Sequence, residues 1–217
     1  VFRYTLAIML RSQRYLPPAL LFVLGTGLFA NGSAGQPIIS VFAPMTGVAF
    51  ICAAWLTVSL VNLEHPVQRT ITAVTVGRSR SLLIAVVWVV LATCAVLAAL
   101  ALALPIVLVN SRLAVPDLVA GAEALLTGAC FGTSIGMLTS RLVIRQPGYA
   151  LVVTLILLAL FLLTPGLPPI NPLIRLLANH QAATIAVLTP TTGYLGIAIV
   201  ALLASATMTQ FIASHRD

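Results

Sequence analysis

Few side chains in this sequence can do chemistry, and their spacing limits what they can do. Gly132-Thr133-Ser134-Ile135-Gly136 spells G-x-S-x-G, the frame of a serine nucleophile on a sharp strand-to-helix turn. That elbow needs a strand before it, whereas these five residues lie inside one long apolar run. His65, His180 and His215 fall in three separate connections or ends, with no H-E-x-x-H and no histidine–carboxylate pairing at metal-ligand spacing. Cys52, Cys94 and Cys130 sit singly in three apolar runs. Their odd number and apolar setting favour small packing residues over a disulfide framework or a metal site. There is no lysine among the 217 residues, hence no G-x-x-x-x-G-K-[ST] phosphate loop. The chain does not bind and hydrolyse ATP by itself in the Walker manner.

Two of the four acidic residues lie in or at the start of an apolar run. Glu123 lies inside an apolar run, about one turn from its start, and an intramembrane acid is a functional candidate by default. Two roles are open to it: a structural ion pair with Arg112 in the preceding connection, or a place on a polar substrate path. Asp117, at the start of the same run, reads as a helix N-terminal residue favoured by the helix dipole.

The elements that must position these residues follow from composition. Hydrophobic residues make up 60% and charged residues 7% of the chain, against about a quarter charged in soluble domains. Such a chain cannot cover a water-facing surface; it is expected to be an all-α integral membrane protein of one domain, residues 1–217. Judged against the roughly 20 apolar residues needed to cross the hydrocarbon, six spans are expected: Tyr15–Ala30, Val41–Val61, Leu82–Leu104, Leu118–Ser140, Tyr149–Leu163 and Thr191–Ala213. Pro17 and Pro18 open the first, where proline does least damage. Residues 1–14 place Phe2, Leu6, Met9 and Leu10 at helical spacing, with arginines at 3, 11 and 14, as in an amphipathic helix lying in the interface.

All the positive charge is arginine, and its placement orients the spans. Arg3, Arg11, Arg14, Arg69, Arg78, Arg80, Arg141, Arg145 and Arg216 fall on one side of a six-span layout, and only Arg112 and Arg175 on the other. Both termini are therefore expected to be cytoplasmic. The same charge argues for a membrane-orienting role and not for nucleic-acid binding. A similarity to rhomboid proteases, which have six spans with a serine in the fourth and a histidine in the sixth, fails in detail. Their motif is G-x-S-G, Ile135 stands where the glycine is required, and the sixth span has only His215, at its cytoplasmic end.

Within the fourth span Ala120, Ala124, Gly128, Gly132, Gly136 and Ser140 recur every four residues. Such a ridge lets two helix backbones approach closely in lipid; its partner is a helix of this chain or of a second subunit. Between the last two spans, residues 164–190 carry Pro165, Pro168, Pro169 and Pro172, then apolar stretches at Ile174–Leu177 and Ala182–Leu188. Two short helices dipping back into the outer leaflet would fit, as would a segment resting on the bilayer surface.

The polar interval Asn62–Ser81 joins the second and third spans. Pro66 and Gly77 bracket a short helix in the usual sense, and Val67, Ile71 and Val74 share one face at i, i+4, i+7. Its many β-branched residues make intrinsic helicity poor, so it should be ordered mainly when docked. The alternative is a basic loop resting on the membrane.

Taken together, the basic amphipathic start, the six spans, the long segment before the last one and this connection resemble an ABC-2 type permease, the membrane subunit of a bacterial ABC exporter. In the connection the resemblance is carried by Glu64, Arg69-Thr70-Ile71 and Gly77-Arg78-Ser79-Arg80, followed at once by the third span. Pro66 and the single acidic residue depart from the family pattern. The resemblance implies a subunit of the bacterial inner membrane that pairs with a second permease chain, identical or homologous, and with two ABC ATPase subunits. ATP and magnesium would be bound on those partners and no cofactor by this chain. Glu64, Val67, Arg69, Thr70, Ile71 and Val74 would form the ATPase-coupling element, with Arg69 as the polar clamp. The exported substrate would be amphipathic or hydrophobic: a drug, antibiotic, peptide or lipid. The competing expectations are a six-span assembly or immunity protein without transport, and a proton-coupled carrier using Glu123.

Overall fold

The computed structural model describes residues 7, 11–13, 15–32, 37–61, 79–109, 114–140, 146–180, 182–183 and 185–214. Among them every regular element is helical: α1 (Leu16–Gly32), α2 (Ile38–Val61), α3 (Ser79–Val109), α4 (Val115–Leu138), α5 (Pro147–Leu163), α6 (Ile170–Asn179) and α7 (Ile185–Ser214). By length and composition α2, α3, α4 and α7 can each cross a membrane, while α1 and α5 are shorter apolar helices. Every expected span thus falls on a helix. Of the expected interfacial helix only Ala7 and Arg11–Gln13 are described; Ala7, Arg11 and Ser12 are helical and Gln13 turns out of the helix at φ 53°.

Local sequence explains the helix ends. α4 opens with proline in its first turn and Asp117 close behind, and α5 opens at Pro147, where a missing N–H costs nothing. Three helices run through an internal proline: Pro44 in α2, Pro105 in α3 and Pro190 in α7. Most buried hydroxyls are satisfied inside their own helices: Thr46 donates to Phe42 O at 2.8 Å, Thr57 to Ala53 O at 2.7 Å and Thr133 to Ala129 O at 2.7 Å. This back-bonding lets threonine and serine be buried in an apolar bundle without stranded polar atoms.

The core is a close parallel pair, α2 and α4. Along it Gly121 lies under the ring of Phe42, Gly128 against the Thr46 carbonyl, Gly132 against the Phe50 carbonyl and Ala53, and Gly136 against Thr57. Residue numbers rise together on both helices, so they run in the same direction. The small-residue ridge of α4 therefore faces a helix of this chain. α1 and α3 run the opposite way: Tyr15, Leu60, Val61 and Val86 share one cluster at one end of the bundle. Ala30, Ile39, Ala101, Ala120, Leu177 and Val187 share another at the far end.

The sheath is apolar outside as well as inside. Leu24 and Leu28 of α1, Trp88 and Val96 of α3, Leu151, Leu155 and Ile156 of α5, and Val200, Leu203 and Phe211 of α7 are all exposed. A surface of that kind is stable against hydrocarbon and not against water, which is consistent with a multi-pass membrane protein.

Residues 164–190 differ from the expectation of two short helices. Among the described residues only one separate short helix forms, α6, and it is amphipathic: Ile170, Leu173 and Leu177 are fully buried, and Ile174 lies against Gly47 of α2. The second apolar stretch is largely absorbed by α7, which starts at Ile185, before Thr191, and continues through Pro190. Helix propagation is cooperative, so a short apolar stretch adjoining a long helix is drawn into it.

Candidate functional site

The coupling element expected from sequence, with Glu64, Val67, Arg69, Thr70, Ile71 and Val74, lies outside the described residues; α3 begins at Ser79. The described site chemistry gathers at the opposite end of the bundle, where α4 and α7 begin and α6 ends.

Two carboxylates of α4 organise that end. Asp117, in the helix's first turn, accepts the backbone N–H of Ala183 through Oδ1 at 2.8 Å. It thus serves both the helix dipole, as expected, and a segment 66 residues away. Glu123 lies two turns in from the start of α4, one turn deeper than the sequence suggested, because the helix begins at Val115. Its Oε2 accepts the hydroxyl of Thr191 at 2.6 Å. Thr191 is fully buried, and its hydroxyl also lies 2.8 Å from the carbonyl of Leu188. Arg112, the ion-pair partner considered from sequence, is outside the described residues. Sequence inspection found Glu123 but not Thr191, since nothing in a primary sequence links positions 68 apart.

A third polar device sits where α5 ends. Asn171, in the first turn of α6, donates through Nδ2 to the carbonyl of Leu162 at 2.6 Å and so caps the last turn of α5. Its Oδ1 is buried without a partner. His180 closes α6, its Nδ1 2.7 Å from Leu176 O.

The serine of the G-x-S-x-G frame is occupied locally. Ser134 is buried and donates to Cys130 O at 2.9 Å within α4. Both glycines of the frame face α2. Cys52, Cys94 and Cys130 are free and buried; the first two line a crevice of about 10 Å³ with Phe22, Leu56, Leu97 and Leu125, room for roughly one water. No group of three histidine, cysteine or acidic residues placed to hold a metal occurs among the described residues.

The fold and its apolar exterior define a class: a helical bundle compatible with a multi-pass membrane protein. Comparison with family models, with characterised proteins and with solved structures finds no match for the chain.

Proposed function

We propose that this chain is the six-span permease subunit of an ATP-driven exporter of the bacterial inner membrane, both termini cytoplasmic, coupled to separate ABC ATPase subunits and paired with a second permease chain. The observation that carries the proposal is the polarity of the bundle. α2, α4 and α7 run in parallel, with α6 and the two α4 carboxylates gathered where they start. The arginine-rich stretch that follows α2 leaves from the other end. Orientation by arginine places that stretch in the cytoplasm, where an ATPase can reach it. The ATPase needs only to bind the two permease conformations with different affinity to drive exchange between them.

The test is affinity purification of the native chain from its own membranes. An ATPase should co-purify, and its vanadate-sensitive hydrolysis should depend on the permease. Replacing Ile71 and Val74 together by aspartate should abolish the association, because two charges would then face the docking surface. Unchanged association overturns the coupling element. Absence of any ATPase, with transport that fails under uncouplers and in Glu123→Gln, overturns the exporter in favour of the carrier.

A further inference from the structure

We propose that the first six residues of α7, 185–190, are a hinged cap held to α4 by Asp117 just before it and by Glu123 at Thr191, just past its hinge, and that releasing these two bonds opens the seam between α4 and α7 at the end where both helices start. The latch is built from two acceptors on one rigid helix and two donors flanking one short turn. Asp117 holds Ala183 just before the turn, and Glu123 holds Thr191 just after it. Between the two donors the turn has one fully buried side chain, Val187, while Ile185 and Thr189 are exposed.

The hinge is Pro190. Proline has no N–H, so the carbonyl of Ala186 loses its partner four residues on and the backbone ladder is interrupted between the turn and the rest of α7. The release mechanism is the Thr191 hydroxyl itself. It has one proton and two acceptors in reach, Glu123 Oε2 at 2.6 Å across the seam and Leu188 O at 2.8 Å in its own turn. A bond to a carboxylate is the stronger choice, which sets the latched state. On release the hydroxyl falls back on Leu188 O and is never left unsatisfied, while Glu123, only half-buried, turns to water. α6 does not move with the cap, because Ile170, Leu173 and Leu177 fasten it to the core. The hinged turn therefore works over a fixed floor, and it does so whatever substrate passes.

Pulsed electron-paramagnetic distance measurements on the full chain in lipid nanodiscs test this. Spin labels at Val115→Cys and Ile185→Cys report the starts of α4 and α7; both positions are exposed, at 72% and 82%, and the three native cysteines are buried. A second pair, Val115→Cys with Arg175→Cys on the exposed side of α6, reports the floor. The native chain should give mainly one short distance for the first pair. Thr191→Val, which keeps shape and removes the donor, should raise a longer component about fivefold, the effect of one lost hydrogen bond. Thr191→Ser should restore the native distribution, and Asp117→Ala should raise the longer component from the other end of the latch. The floor pair should stay unchanged throughout. A native-like distribution in Thr191→Val and Asp117→Ala overturns the latch. Floor labels that shift with the cap overturn the hinge.

Discussion

Among the described glycines, Gly132 is the most tightly enclosed. A β-carbon there would overlap the carbonyl of Phe50 and come within 3.0 Å of the Ala53 methyl, and the obstruction is backbone that no side-chain rotation can clear. Gly132→Ala should therefore lower unfolding stability in detergent by roughly 1–3 kcal/mol, the usual cost of overpacking. Gly193 in α7 meets nothing within 4 Å, so Gly193→Ala should be neutral or slightly stabilising, since alanine has the higher helix propensity. Thermal unfolding of the two variants side by side checks the contrast. Equal losses would mean that glycine at these positions serves backbone flexibility and not close approach. The same logic separates the two α4 acids: each is defined by the donor it meets, Ala183 N–H or the Thr191 hydroxyl, and not by its position in the helix.

At the scale of elements, α6 links the two ends of the polypeptide's second half. Its buried face packs on α2, its Asn171 caps α5, and its far end leads into the latched turn of α7. Leu173 and Leu177 are one turn apart and both fully buried. Truncating either to alanine leaves a cavity; because lipid is as apolar as the protein interior, the transfer contribution shrinks and the lost packing dominates. Each substitution should cost about 1–3 kcal/mol, below the upper range for soluble cores. It should also speed amide exchange in residues 170–179 more than in α2. Uniform exchange in both helices would show that α6 does not open separately.

At the scale of the whole molecule, helix directions and arginine placement agree with the proposed six-span topology. The ends of α2 and α5 face opposite sides: Val61 lies with Tyr15 and Val86, whereas α5 ends beside Asn171 of α6. Alkaline phosphatase fused after Gly77 should be inactive, retained in the cytoplasm, and fused after Leu167 it should be active. Activity at both sites would overturn the six-span orientation. α2 and α4 bury most of their surface within the chain and α7 little, so the lipid or any second chain meets chiefly α1, α3, α5 and α7.

The sequence by itself determined the apolar, helical character, the positions of the six long apolar helices and the small-residue face of α4, because each follows from local composition or from a period of about four residues. It marked Glu123 as out of place by the same kind of argument, an acid in an apolar run. Its local patterns also misled at residues 182–188, whose apolar stretch looked like a separate helix until its continuity with α7 decided otherwise. Only the tertiary structure decided what each face meets. Periodicity says that Gly128, Gly132 and Gly136 share a stripe but not that α2 covers it. No local pattern pairs Glu123 with Thr191 or Asp117 with Ala183, because those contacts depend on how helices far apart in the chain lie against one another. Packing in three dimensions supplies that relation, and at the start of α4 it turns two isolated acids into a latch.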